Sequence, residues 1–254
     1  MGSAFAARHR WDRSFLAAFV LVAWAAVAIA FFATIRDRFT GQADYPPPAA
    51  LVVHVWSFFG WLTLLSVQLS LSSIGRIGWH RFLGAAAVVL VPVMAWSAIA
   101  AEIYSQRFYA GGDPEGVRFF PIPVASVACF VVFATAALVL RRNAAAHKRL
   151  IYLATSSVLV AAFFRWWGDA IYAAMPPGFT TEWLANYLGV ALLLAAGVGF
   201  DLVSRGTVHP VFRIAVPLIL AAQLAAVAVG QSDWWPAAGR DVLGLEASGP
   251  ATNP

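Results

Sequence analysis

The chain is 254 residues long, 61% hydrophobic and 11% charged, with a mean hydropathy of +0.75. Soluble domains carry roughly 25% charged residues, so this composition lacks the polar surface to cover a globule in water. The net charge of +5 does not point to nucleic acid, because the basic residues lie in short clusters between apolar runs rather than in a patch.

A hydrocarbon core of about 30 Å asks for about 20 helical residues. Seven stretches meet that length: 15–35, 49–71, 82–101, 122–140, 150–175, 183–203 and 211–230. None shows the short alternating strands of a membrane β-barrel, and helices are the remaining way to satisfy the backbone in lipid. The expectation is an all-α, polytopic bundle of seven transmembrane helices over 1–230, followed by a mobile external tail over 231–254. Its solvent is the lipid bilayer, with a membrane protein partner or a second copy left open.

The first stretch follows Arg8, Arg10 and Arg13 and contains Ala28-Ile29-Ala30, the layout of a signal peptide. Its apolar run continues to Ile35, long enough to span, so an uncleaved first helix is expected. Tyr45-Pro46-Pro47-Pro48 opens the second stretch. Gly111 to Gly116, with Pro114, breaks the third loop, and Met175-Pro176-Pro177-Gly178 ends the fifth stretch. Eleven tryptophans suit a chain with many membrane–water boundaries. The single cysteine, Cys129, leaves no intrachain disulfide and no cysteine zinc cluster.

Orientation follows from Lys and Arg. One side collects Arg8, Arg10, Arg13, Arg76, Arg81, Arg141, Arg142, Lys148, Arg149, Arg205 and Arg213; the other has Arg36, Arg38, Arg107, Arg118 and Arg240. The richer side is expected to be cytoplasmic, placing the N-terminus inside and the C-terminus outside.

Within the spans, polar residues single out two regions. In the fifth stretch Arg165 and Asp169 stand four apart on one helical face, with Tyr172 continuing it. A charge in mid-bilayer costs about 2.5–3.5 kcal/mol on insertion scales and asks for a partner or a function. In the second stretch His54, Ser57, Trp61 and Gln68 form one stripe that should face the bundle. His54, Ser57, Gln68, Arg165, Asp169 and Tyr172 are therefore the candidate ligand pocket, and His54 and Arg165 fall at similar depth in the outer half. An ion pair and hydrogen bonds that merely join helices explain the same residues. At the cytoplasmic side His80 opens the third stretch and His147 the fifth. Paired neutral imidazoles on separate helices are what a six-coordinate haem iron requires, while Arg81, Lys148 and Arg149 are accounted for by topology alone.

The order His54, Gln68, His80-Arg81-x-x-Gly84, His147-Lys148-Arg149-Leu150 and Arg165 resembles uncharacterised families of bacterial predicted membrane proteins, over about residues 50–170. That resemblance implies a multi-pass protein of the bacterial inner membrane and no stated activity. A more distant likeness is to transmembrane di-haem b-type cytochromes, which place paired histidines on four consecutive helices. Here His80 and His147 match only one of the two pairs, so the likeness implies at most a single haem b.

Three functions stay open on the sequence: a single-haem or quinone-linked redox or sensing protein, a carrier of a small solute or proton, and an accessory subunit. No His-Glu-x-x-His, Gly-x-Ser-x-Gly or carboxylate cluster occurs, which points away from an enzyme and from a metal site of that kind.

Overall fold

The computed structural model describes residues 5, 9–43, 46–109 and 116–245. All regular structure among them is helical: α1 (Asp12–Phe39), α2 (Ala49–Ser73), α3 (Ile77–Gly84), α4 (Ala87–Tyr109), a 3-10 turn (Gly116–Phe119), α5 (Pro121–Val139), α6 (Ala144–Val158), α7 (Val160–Ala174), α8 (Phe179–Arg205), α9 (Pro210–Gln231) and α10 (Trp235–Leu243). Six helices or near-continuous helix pairs are long and apolar enough to cross a membrane. The pair α6–α7, bent by 45°, makes a seventh if it counts as one span. The protein is thus a multi-pass helical membrane protein, and its flanks fit that solvent. Phe82 is 70% exposed and Leu21 69%, areas that face lipid at no hydrophobic cost.

Alternation of direction brings the helix ends into two groups. At one end, called here the basic end, the start of α1, the end of α2, the start of α6 and the end of α8 meet. Arg13 donates to the Ser73 carbonyl at 2.6 Å, Lys148 to Asp12 at 2.6 Å and Arg205 to Asp12 at 2.7 Å. At the opposite end Arg118 donates to the Gly230 and Ser232 carbonyls at 2.9 and 3.0 Å.

The third span starts earlier than hydropathy suggests: α3 precedes α4 and turns at Ala85-Ala86, so that the apolar unit runs Ile77–Tyr109. The fifth span breaks at Leu159 without proline or glycine. Ser156 and Ser157 turn their hydroxyls back onto the Tyr152 and Leu153 carbonyls at 2.8 and 2.9 Å, a habit that bends helices. The Leu159 amide then reaches only as far as the Ser156 carbonyl, at 3.2 Å.

A mobile tail was expected from 231. Instead Trp235–Leu243 form α10, begun by Pro236 in its first turn. Leu243 is fully buried beside Val117 and Phe120, and Arg107 donates to the Leu243 carbonyl at 2.7 Å. An apolar anchor inside a Gly- and Pro-rich stretch outweighs its composition. The rest of that tail, 246–254, lies outside the described residues, as do Arg8, Tyr45 and the loop over 110–115.

Candidate functional site

Helix α3 is eight residues long, and its one polar half-buried side chain of consequence is His80. Its Nδ1 lies 3.2 Å from the Gln68 carbonyl on α2. On α6, begun by Asn143 accepting from the Ala146 amide, His147 sets its Nδ1 2.8 Å from the Ala137 carbonyl on α5. A carbonyl oxygen only accepts, so each Nδ1 carries a proton, and in a neutral ring Nε2 then keeps its lone pair. The two ring centroids are 6.4 Å apart and the ring planes cross at 79°. The sequence-predicted pair is therefore brought together. Nδ1 bonded to a backbone carbonyl is the arrangement usual for histidines that bind metal through Nε2.

Gln68 belongs to this cluster and not to the outer pocket where the sequence placed it. The physical reason is length: fourteen residues of helix, about 21 Å, separate it from His54. Both its side-chain Nε2 and Oε1 are buried without a hydrogen-bond partner, and its amide packs on Gly84, where an added Cβ would come within 3.3 Å of Nε2.

The outer residues divide into two groups. Ser57 and Trp61 point inward as expected: the Ser57 and Ser97 hydroxyls are 3.3 Å apart, and Trp61 donates to Thr155 at 3.1 Å. His54 packs at a 45° tilt against Phe58, with its Nδ1 buried and without a hydrogen-bond partner among the described residues. Arg165 donates to the Ala161 carbonyl at 3.1 Å, and its guanidinium lies 4.9 Å from the Phe31 ring centre. Its charge acts on both His54 and Glu102. Tyr172 instead faces α8, donating to Glu182 at 2.8 Å, and the Asp169 charge acts on Tyr172. Arg165 with His54 is thus one group, and Asp169 with Tyr172 another.

Two functional candidates escaped the sequence reading. Glu102, half-buried and holding Gln106 at 2.8 Å, falls one residue beyond the expected end of the third span. Asp201, fully buried, sits inside the sixth. Arg149 donates to Asp201 through both Nε, at 2.9 Å, and Nη2, and to the Ala145 carbonyl at 2.7 Å. Arg205 joins Asp201 at 3.5 Å, and the His209 amide donates to Asp201 at 3.1 Å. Topology alone therefore does not account for Arg149, which is 4% exposed. The spacing Asp201 to Arg205 is the same four-residue pairing that drew attention to Arg165.

At the start of α9 the His209 Nδ1 accepts from the Val211 amide at 3.1 Å. Burial and the neighbouring Arg149 guanidinium push its pKa down to about 4. Among the described residues, no group of three or more His, Cys, Asp or Glu is placed to hold a metal ion. Comparison with protein family models, with characterised proteins and with solved structures returns no match for this chain.

Proposed function

We propose that the protein is a redox or sensing protein of a bacterial inner membrane that holds one b-type haem between His80 and His147, near its cytoplasmic face. The observation that carries this reading is the pair of imidazoles on separate helices, 6.4 Å apart and nearly perpendicular, each with Nδ1 committed to a carbonyl. A metal held by two Nε2 atoms at about 2.0–2.1 Å each would set the ring centres about 6 Å apart, and the observed 6.4 Å spacing supports one metal between these two rings. Bound there, haem would supply reversible one-electron chemistry. The chain's own part is to fix both imidazole tautomers and to keep the ligands at the end of the bundle rather than at its centre. The excess of Lys and Arg at this end supports a cytoplasmic location. The resemblance to bacterial predicted membrane proteins supports the compartment.

The absorption spectrum of detergent-purified protein, expressed with ample haem and then reduced with dithionite, tests this. A Soret band with sharp reduced α and β bands is expected in the wild type and lost in both His80→Ala and His147→Ala. A featureless visible spectrum of the wild type would overturn it.

A second reading has its own observation. Arg165 acts on His54 and Glu102 from α7, and the His54 Nδ1 is buried without a partner. That favours an outer site for a proton or small anion, as a carrier needs. Uptake by proteoliposomes that Arg165→Leu or His54→Ala abolishes, in protein without a haem spectrum, would favour it.

A further inference from the structure

The break between α6 and α7 opens onto a small cavity in the middle of the bundle. Ser126 and Cys129 of α5, Ser157 and Val160 at the break, Tyr187 of α8 and Gln223 of α9 line it. It encloses ≈ 190 Å³ of empty space, part of it open, with ≈ 10 Å³ available to the centre of a water molecule. That is about the room one water needs.

The lining leaves one buried acceptor unanswered. Ser126 and Ser157 spend their hydroxyl protons on the Ile122 and Leu153 carbonyls, at 2.8 and 2.9 Å. Both hydroxyl oxygens keep acceptor lone pairs. Gln223 is 4% exposed, and its Oε1 has no hydrogen-bond partner. The Tyr187 hydroxyl, on a residue 1% exposed, lies 3.5 Å from the Ile122 carbonyl and also interacts with the Ser126 hydroxyl. The site therefore offers acceptors (Gln223 Oε1 and the serine oxygens) alongside donors (the Gln223 amide N–H, the Tyr187 hydroxyl and, weakly, the Cys129 thiol), with Gln223 Oε1 the acceptor left without a partner among the described residues. Water, with two protons to give, matches that set. No carboxylate lines it to neutralise a divalent cation.

We infer that this cavity binds an ordered water that donates to Gln223 Oε1 and to a serine oxygen, making the kink of the fifth span a hydrated joint rather than a dry one. Irregular helix at membrane depth is tolerated where it lines such a polar space. The inference is independent of what His80 and His147 hold.

Radiolytic hydroxyl-radical labelling with mass spectrometry reads bound water directly, since the radical forms where the water sits. Tyr187 is expected to label within about tenfold of Tyr109, a residue at the outer end of α4 that is 46% exposed. Met94, intrinsically reactive but fully buried and not among the residues lining the cavity, should stay unlabelled. Gln223→Leu should lower Tyr187 labelling by at least about fivefold. Absence of label at Tyr187 in the wild type overturns the site, as does equal labelling of Met94. Should Gln223→Leu fail to fold, the wild-type comparison of Tyr187 with Met94 decides alone.

Discussion

Two polar clusters share the basic end of the bundle and treat their groups oppositely. Around Asp201 each charge is answered: Arg149 by a two-point contact, Arg205 by Asp201 and Asp12, Lys148 by Asp12. Around His80 and His147 the carbonyls hold Nδ1 only, and the Gln68 amide is buried with neither atom bonded. The first arrangement is complete within the chain and ties α1, α6 and α8 together. The second leaves the Gln68 amide without a hydrogen-bond partner among the described residues. Buried polar groups in native proteins are mostly paired, by protein or by water, so the unpaired Gln68 amide supports the proposed ligand at this cluster.

The sharpest way to break this contrast is to leave Arg149 without its partner. Asp201→Leu is expected to cost about 3–5 kcal/mol in unfolding experiments in detergent, because the guanidinium stays buried and uncompensated. Arg149→Met added to Asp201→Leu should recover most of that loss. If the single change costs less than 1 kcal/mol (about the worth of an exposed pair), the network is not the lock described.

Next in size is the edge of the same network. The folded His209 binds fewer protons than the unfolded one, since its pKa is lowered to about 4 from an ordinary 6.5. Its contribution is present above pH 6.5 and is lost as pH falls towards 4. His209→Asn keeps a side-chain acceptor for the Val211 amide but does not titrate. The wild type should lose about 1–2 kcal/mol relative to this variant between neutral pH and pH 4, with water at the helix end screening the rest. Parallel pH curves for the two proteins would contradict the assignment.

The smallest effect sharpens the other side. Gln68→Leu removes an amide that has no hydrogen-bond partner among the described residues, so haem-free protein should be unchanged or stabilised by up to about 1 kcal/mol. The same variant is expected to retain haem less well during purification. A loss of stability comparable to that of Asp201→Leu would show that Gln68 is internal glue after all.

Hydropathy and length were enough to read the spans, because a bilayer fixes how many apolar residues a helix must offer. They were not enough for the break at Leu159, which comes from serine hydroxyls competing for backbone carbonyls and carries no proline or glycine. The histidine pair was legible as two imidazoles entering from one face. Their Nδ1 partners were not, because backbone carbonyls of α2 and α5 have no signature in sequence. Glu102 was missed through a boundary drawn one residue short. Asp201 was missed because Arg205, four residues on, was counted for orientation alone.

Electron paramagnetic resonance of the oxidised, purified protein tests the central claim most directly. Two imidazoles with planes 79° apart on one iron predict a low-spin ferric signal of the strongly anisotropic, large-gmax kind, absent from His80→Ala and His147→Ala. A haem-bearing protein with only a high-spin signal, or one whose low-spin signal survives both substitutions, would contradict it.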